Sequence, residues 1–209
     1  MSAETQLSII IPTHNRHERA ARAVNALRGQ ILANHLASSV EVLVVDDGSE
    51  PACAARTKDF ILRQNHPFLR YLALPENGGA AAARNAGALA SRGAVLAFLD
   101  DDIVPADGYV CAIIRAHERH PDALVINGNL RALQQSVYAD FWFYYYNAVF
   151  NRPGEEFYTI EMLASGHFSI KRSVLARERP RGDARIERRD RRGRSGAGQV
   201  AARDDLRGV

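Results

Sequence analysis

Cysteine is scarce in this chain of 209 residues, which holds two, Cys53 and Cys111. That is too few for a disulfide framework, and neither lies in a CxxC or Cys/His metal spacing, so both read as ordinary thiols. Long apolar runs are missing as well: nothing approaches the roughly eighteen residues that a membrane-spanning helix needs. The opening MSAETQLSIIIPTHN lacks the basic-then-apolar layout of a secretory leader. No GxxxxGK[ST] occurs, which excludes a Walker-type phosphate loop. The expectation from these absences is a soluble, cytoplasmic protein.

A preponderance of one charge is also missing from most of the chain. The net charge is +3, from 27 basic and 24 acidic side chains. Residues 177–209 alone hold eleven arginines and six of the acids, which leaves sixteen basic against eighteen acidic side chains elsewhere. The pI of about 9.1 therefore belongs to the tail, and with no basic stripe on the body nucleic-acid binding is not expected. The tail has no aromatic residue, and its apolar residues larger than alanine are Ile186, Val200, Leu206 and Val209. Such a segment buries too little to offset its ordering entropy, so residues 177–209 are expected to be an Arg/Gly/Ala-rich appendage, disordered or fraying helix, to a domain at 1–176. Within it, Gly196 to Ala201 spells the dinucleotide fingerprint GxGxxA, but no strand precedes it, and the match is rejected on context.

What the chain has is alternation. Short apolar runs fall at Leu7–Ile11, Val40–Val45, Leu69–Leu74, Ala94–Leu99 and Ala123–Ile126. Between them lie helical patterns at Arg19–Leu32, Ala54–Arg63 and Ala80–Ser91, and one after Pro105 that reaches His120. Nearly continuous apolar strands separated by helices predict an α/β domain whose mostly parallel sheet is covered on both faces. A further apolar pattern from Ile160 to Leu175 closes the body. Residues 138–150 hold Tyr138, Phe141, Trp142, Phe143, Tyr144, Tyr145, Tyr146 and Phe150. Core packing against the sheet is the expectation for this cluster, with sugar stacking or peripheral membrane contact as alternatives.

In a parallel sheet every strand delivers its carboxyl end to one edge, where ligands bind. Three such ends carry polar groups: Pro12-Thr13-His14-Asn15-Arg16, Asp46-Asp47-Gly48-Ser49 and Asp100-Asp101-Asp102. Taken singly, the second and third are good turn sequences. Together they bring many acids to one rim, and crowded carboxylates repel unless solvent or a cation intervenes. Because Mg²⁺ commonly pairs one or two carboxylates with substrate phosphates, the pattern predicts a metal–diphosphate site.

IIIPTHNR, then VEVLVVDDGS, then LPENGGAAAARNAGALASRGAVLAFLDDDIVPADGY resembles the nucleotide-sugar-binding half of the family-two inverting glycosyltransferases of the GT-A fold. The likeness covers residues 7–130 and extends more weakly to about 175. It implies a Rossmann-like GT-A domain that transfers a sugar, from a UDP-sugar donor, to a glycan or lipid-linked acceptor, with Mn²⁺ or Mg²⁺ as cofactor. By the same likeness Pro12, Thr13 and His14 would line the base pocket, His14 standing where the family often has Tyr. Asp47 would accept a hydrogen bond from uracil, while Asp46 holds the loop. Arg84 would lie near the sugar or diphosphate, and Gly79 beside Gly78 would allow close backbone approach. Asp102 would bind the metal and Asp100 the ribose or sugar, with Asn15 and Asp101 completing the nucleotide-sugar-binding set.

The family's catalytic base is usually an acid in an ED-like motif downstream of the segment that corresponds to SGHFSIKRSVL. Here Leu175 is followed by ARERPRGDARIERRDRRGRSGAG, and Glu187, Asp190, Asp204 and Asp205 sit in no such context. No base is assigned. The expectation is a reading frame disrupted near residue 176, which leaves an incomplete acceptor part; comparison of the alternative frames of the coding DNA tests it. His167 could approach the acceptor pocket, but a packed or solvated histidine is the expectation.

Overall fold

A computed structural model describes residues 5–128 and 166–177. In chain order the elements are β1 (Leu7–Thr13), α1 (His17–Ala33), β2 (Val40–Asp46), α2 (Pro51–Arg63), β3 (Leu69–Ala73) and α3 (Ala80–Ala90). They continue as β4 (Val95–Leu99), α4 (Tyr109–Arg119), β5 (Val125–Asn127), β6 (His167–Lys171) and α5 (Ser173–Arg177). The six strands form one sheet in the order β3-β2-β1-β4-β6-β5. β1 to β4 are mutually parallel, and β6 runs antiparallel to both β4 and β5. The mostly parallel α/β sheet read from the sequence is the one observed. The chain divides between Val174 and Leu175, and the sheet lies within the first unit. The aromatic cluster at 138–150 and the tail from residue 178 lie outside the described residues.

Alternation along the strands distributes the core over both faces of the sheet. Ile9, Ile11, Val42 and Val44 pack with Val24, Leu27 and Ile31 of α1. Ile10, Leu43, Val45, Leu96 and Phe98 pack instead with Ala83 and Ala88 of α3. Each isoleucine of the Ile9–Ile11 run is fully buried, worth on the order of 1.5–3 kcal/mol apiece relative to exposure. Burial on both faces is why these strands read as continuous apolar runs. Gly87 costs α3 some helix propensity, but a Cβ there would lie 2.4 Å from Ile10 Cγ2, so the glycine seats the helix close against the sheet.

β1 continues through Pro12, where the sequence pattern predicts its end. β1 and β4 share register only from Leu7↔Val95 to Ile10↔Phe98, while β1 stays paired with β2 to Thr13↔Asp46. The ladder to β4 thus ends two residues before Pro12, which has no N–H to extend it, while the pairing with β2 runs past the proline. α2 begins three residues earlier than the periodicity suggests because Pro51 occupies its first turn, where a missing N–H is harmless.

At the amino-terminal edge of the sheet Glu41 is buried beneath three donors. Ser8 Oγ donates to Oε1 at 2.7 Å, Arg70 donates to Oε2 at 2.7 Å, and the Arg92 N–H also donates to Oε1. Burial pushes this carboxyl up, but the donors outweigh it and hold it below its ordinary range. Arg172 closes the same edge by donating to the carbonyls of Gly93 and Ala88. Among the described residues, no helix is long and apolar enough to cross a membrane.

Candidate functional site

The carboxyl ends of β1, β2, β3 and β4 meet at one edge, and the loops that follow them clasp one another. Asn15, at φ 55°, adopts the left-handed conformation that asparagine tolerates better than most residues. Its N–H donates to Ser49 Oγ and its Oδ1 accepts from the Glu50 N–H, each at 2.8 Å. Its side-chain amide donates to His14 Nε2 at 3.1 Å, which assigns the imidazole proton to Nδ1, and Nδ1–H donates to the Asp47 carbonyl at 2.8 Å. Both ring nitrogens of His14 are therefore occupied, and only the ring face is left to meet a ligand.

The two acids after β2 have different duties. Asp46 Oδ1 accepts the Ser49 N–H at 2.8 Å and Oδ2 accepts the Tyr71 hydroxyl at 2.6 Å. Burial, reinforced by the neighbouring Asp46 charge, pushes the Tyr71 phenol far above its ordinary range. Asp47 reaches the next loop, where Oδ1 accepts the Gly78 N–H at 3.0 Å and Oδ2 accepts the Gly79 N–H at 2.7 Å. Gly79 precedes the first turn of α3, so the carboxylate satisfies donors at the positive end of that helix. Gly48 makes this approach feasible: at φ 63°, a Cβ there would lie 2.4 Å from the Glu76 carbonyl carbon.

After β4, each of three consecutive aspartates faces an arginine. Arg84 of α3, whose side chain is 15% exposed, pairs with Asp100. Arg16 Nη1 lies 3.4 Å from Asp101 Oδ1, and Arg19 Nη1 lies 3.5 Å from Asp102 Oδ2. Asp101 is 5% exposed and also accepts Thr13 Oγ1–H at 2.8 Å. Burial raises its carboxyl above the ordinary range; Thr13 and Arg16 oppose the shift and Asp102 adds to it. Asp102 is 53% exposed and, among the described residues, is paired with Arg19 alone at that long distance. The Asp100 N–H is fixed by Gly166 O at 3.0 Å, which ties this loop to the start of β6.

These loops surround a cleft of about 270 Å³. Of the residues singled out from the sequence, Pro12, Thr13, His14, Asp47, Gly79, Arg84, Asp100, Asp101 and Asp102 line it. Asn15 does not; it braces the rim. Asp101 turns inward to β1 and serves the loop more than the opening. Arg16, Asn77 and Ala80 line the cleft without having been anticipated. The signal for Arg16 lay in its place at the end of PTHNR, just before α1.

His167 is packed, as expected. It is 8% exposed, its ring centroid lies 5.2 Å from that of Tyr109, and burial lowers its pKa. Among the described residues no three His, Cys, Asp or Glu side chains converge to hold a metal ion. The donor set at the cleft instead fits a hard cation that takes one carboxylate from the protein and its other oxygens from substrate phosphates and water. Exposed and weakly paired, Asp102 is the acid able to turn toward such an ion.

The model of the family described as Glycosyl transferase family 2 matches residues 8–178. The chain belongs to that family. Glycosyltransferase AglE of Haloferax volcanii is 38% identical over 99 residues, which cover 47% of this chain and 31% of AglE. The pre-mycofactocin glycosyltransferase of Mycobacterium tuberculosis is 34% identical over 108 residues, covering 52% of this chain and 20% of that enzyme. This family-2 chain thus spans less than a third of these curated relatives. Among solved structures, the mannosyltransferase PcManGT of Pyrobaculum calidifontis, in complex with GDP-Man and Mn²⁺, aligns with a TM-score of 0.61 at 17% identity. That match covers 84% of this chain and 47% of PcManGT. TarS 1–349 of S. aureus, in complex with UDP-GlcNAc, aligns at 0.59 and 20% identity, covering 83% of this chain and 47% of that one. At such identities the likeness establishes a shared fold, the GT-A architecture.

Proposed function

We propose that this chain is the donor-binding part of a glycosyltransferase that moves a sugar from a UDP-sugar to a glycan or lipid-linked acceptor with inversion. The observation that carries the reading is convergence: His14, Asp47, Arg84, Asp100 and Asp102, from separate segments of the chain, line one cleft. Family membership and the shared fold support it. A cytoplasmic setting, with peripheral contact at a membrane that carries a lipid-linked acceptor, belongs to the same proposal.

In this reading the His14 ring face stacks on the base, because its nitrogens are spent on Asp47 and Asn15. Each Asp47 oxygen keeps a lone pair beyond the one given to the glycine N–H groups, and one of them accepts a hydrogen bond from the uracil imide N–H. Pro12 and Thr13 wall the base pocket. Gly79, with open space where a Cβ would stand, lets the donor approach the backbone. Asp100 holds Arg84 in place and uses its second oxygen on the ribose or sugar. Asp102 would hold Mn²⁺ or Mg²⁺ beside the diphosphate, where such an ion supplies Lewis-acid stabilisation of the leaving group. Inversion requires a general base for the acceptor hydroxyl, and no described residue is assigned that role.

Titration calorimetry with UDP and Mn²⁺ tests the site. Wild type should bind, and chelator or Asp102→Ala should weaken binding by about tenfold or more, the loss of one charged contact. Undiminished binding in the variant overturns the metal assignment. A thermal-shift screen of nucleotide sugars then identifies the donor, since a ligand of the native state raises apparent stability.

A second reading, a domain that binds donor and transfers nothing, is favoured by the sequence after Leu175. The family match reaches residue 178, and the acids beyond it lack the spacing of a base motif. Donor hydrolysis or transfer by the full chain would rule that reading out.

A further inference from the structure

Arg16 is not explained by the loop architecture alone. It immediately precedes α1, and its side chain is 53% exposed yet lines the cleft with Arg84 and Asp102. The contact that orients it is to a fixed acid. Thr13 Oγ1 occupies Asp101 Oδ2 at 2.8 Å, which leaves Oδ1 to face Arg16 Nη1 at 3.4 Å. Asp101 is buried and held in place by the Thr13 hydroxyl. A guanidinium offers five N–H donors in a planar fork, and this contact uses one of them. The residue lines the cleft, so the other donors lie within reach of a ligand there.

The arrangement repeats that of Arg84. Arg84 is anchored by Asp100, and its buried Nε has no hydrogen-bond partner. Two adjacent acids of β4's exit loop thus each hold one guanidinium at the same cleft, one from the start of α1 and one from α3. Paired forks with unspent donors match the oxygens of a diphosphate better than they match a neutral base or sugar hydroxyl. The amino-terminal end of α1, which follows directly, adds a favourable dipole for an anion.

We propose that Arg16, oriented by the buried Asp101, is a diphosphate-binding residue of this site and acts beside Arg84. Asp101 is then a positioning residue whose contribution to ligand binding runs through Arg16. The inference rests on the donor-site reading and specifies how that site recognises its anionic portion.

The test compares UDP with uridine on the full chain in Mg²⁺ by ligand-observed NMR titration, which reads dissociation constants into the millimolar range. Arg16→Gln should weaken UDP by about ten- to a hundredfold, as for a lost charged hydrogen bond, and leave uridine unchanged. Arg16→Lys should recover part of the loss, since the charge returns without the fork. Asp101→Asn, which keeps an acceptor for Thr13 but releases the guanidinium, should weaken UDP several-fold and spare uridine. Unaltered uridine binding reports an intact base pocket in every variant. If wild type prefers UDP and Arg16→Gln retains that preference in full, Arg16 has no such role and the donor site stands. If wild type binds neither ligand, the donor-site reading itself is overturned, and this inference with it.

Discussion

Thr13 donates its hydroxyl to Asp101 across 88 residues of sequence, at 2.8 Å and out of reach of solvent. The bond joins the end of β1, where the base pocket is proposed, to the loop that carries the other acids. A buried carboxylate that loses such a donor carries the desolvation penalty of an unsatisfied group. Thr13→Val, close in shape, should therefore destabilise the fold by about 1–3 kcal/mol. Urea denaturation measures it, and a variant as stable as wild type would show that the bond contributes nothing.

Asp47 serves two neighbouring N–H groups with two oxygens. Asparagine can present one oxygen there, and its amide would direct a donor at a donor. Asp47→Asn should lose about 1–3 kcal/mol and increase hydrogen exchange at Gly78 and Gly79. Unchanged protection at those two amides is the result that would refute the capping role.

Glycines at 48 and 29 should respond to alanine in opposite directions. At Gly48 the new Cβ meets the Glu76 backbone at 2.4 Å with φ at 63°, a strained and crowded site that costs about 1–3 kcal/mol. At Gly29, within α1, nothing lies within 4 Å of the Cβ position, and alanine should stabilise by about 0.5–1 kcal/mol. Thermal melts of the two variants should move apart; a shift of the same sign in both would contradict this account.

Acid should destabilise the domain through two buried histidines. Burial lowers the pKa of His117, with the Lys171 charge adding to the effect, and burial lowers that of His167. The unfolded chain therefore binds protons that the folded chain refuses. Their contribution to stability is complete above the ordinary histidine pKa of about 6.5 and is lost as pH falls through the depressed folded values. Each contributes at most about 1.4 kcal/mol per pH unit to the slope below 6.5. Chemical denaturation across pH 5–8 should show stability falling on the acid side, less steeply in His117→Gln. A flat profile, or equal slopes in the two proteins, would count against it.

Local pattern carried far in this chain. The Ile9–Ile11 run, the Val42–Val45 run and the helical spacing of Val24, Leu27 and Ile31 record burial on both faces of a sheet, because each side chain's fate there follows from its period. The polar strand ends could be read as well, since parallel strands deliver them to one edge. Pro12 stops the ladder only on the side that its nitrogen faces: the pairing with β4 ends at Ile10, while that with β2 runs on to Thr13.

Sequence alone established the layered α/β class and the polar strand-end loops that meet at the cleft, since both follow from periodicity and order along the chain. Tertiary structure decided the partners. Only folding could show that Asp47 grips the glycines before α3, that Asp101 turns inward to Thr13 while Asp102 stays exposed, and that β6 enters antiparallel beside β4. Those outcomes depend on distances between residues up to 88 positions apart, and no local pattern encodes which of three adjacent carboxylates a distant hydroxyl will reach.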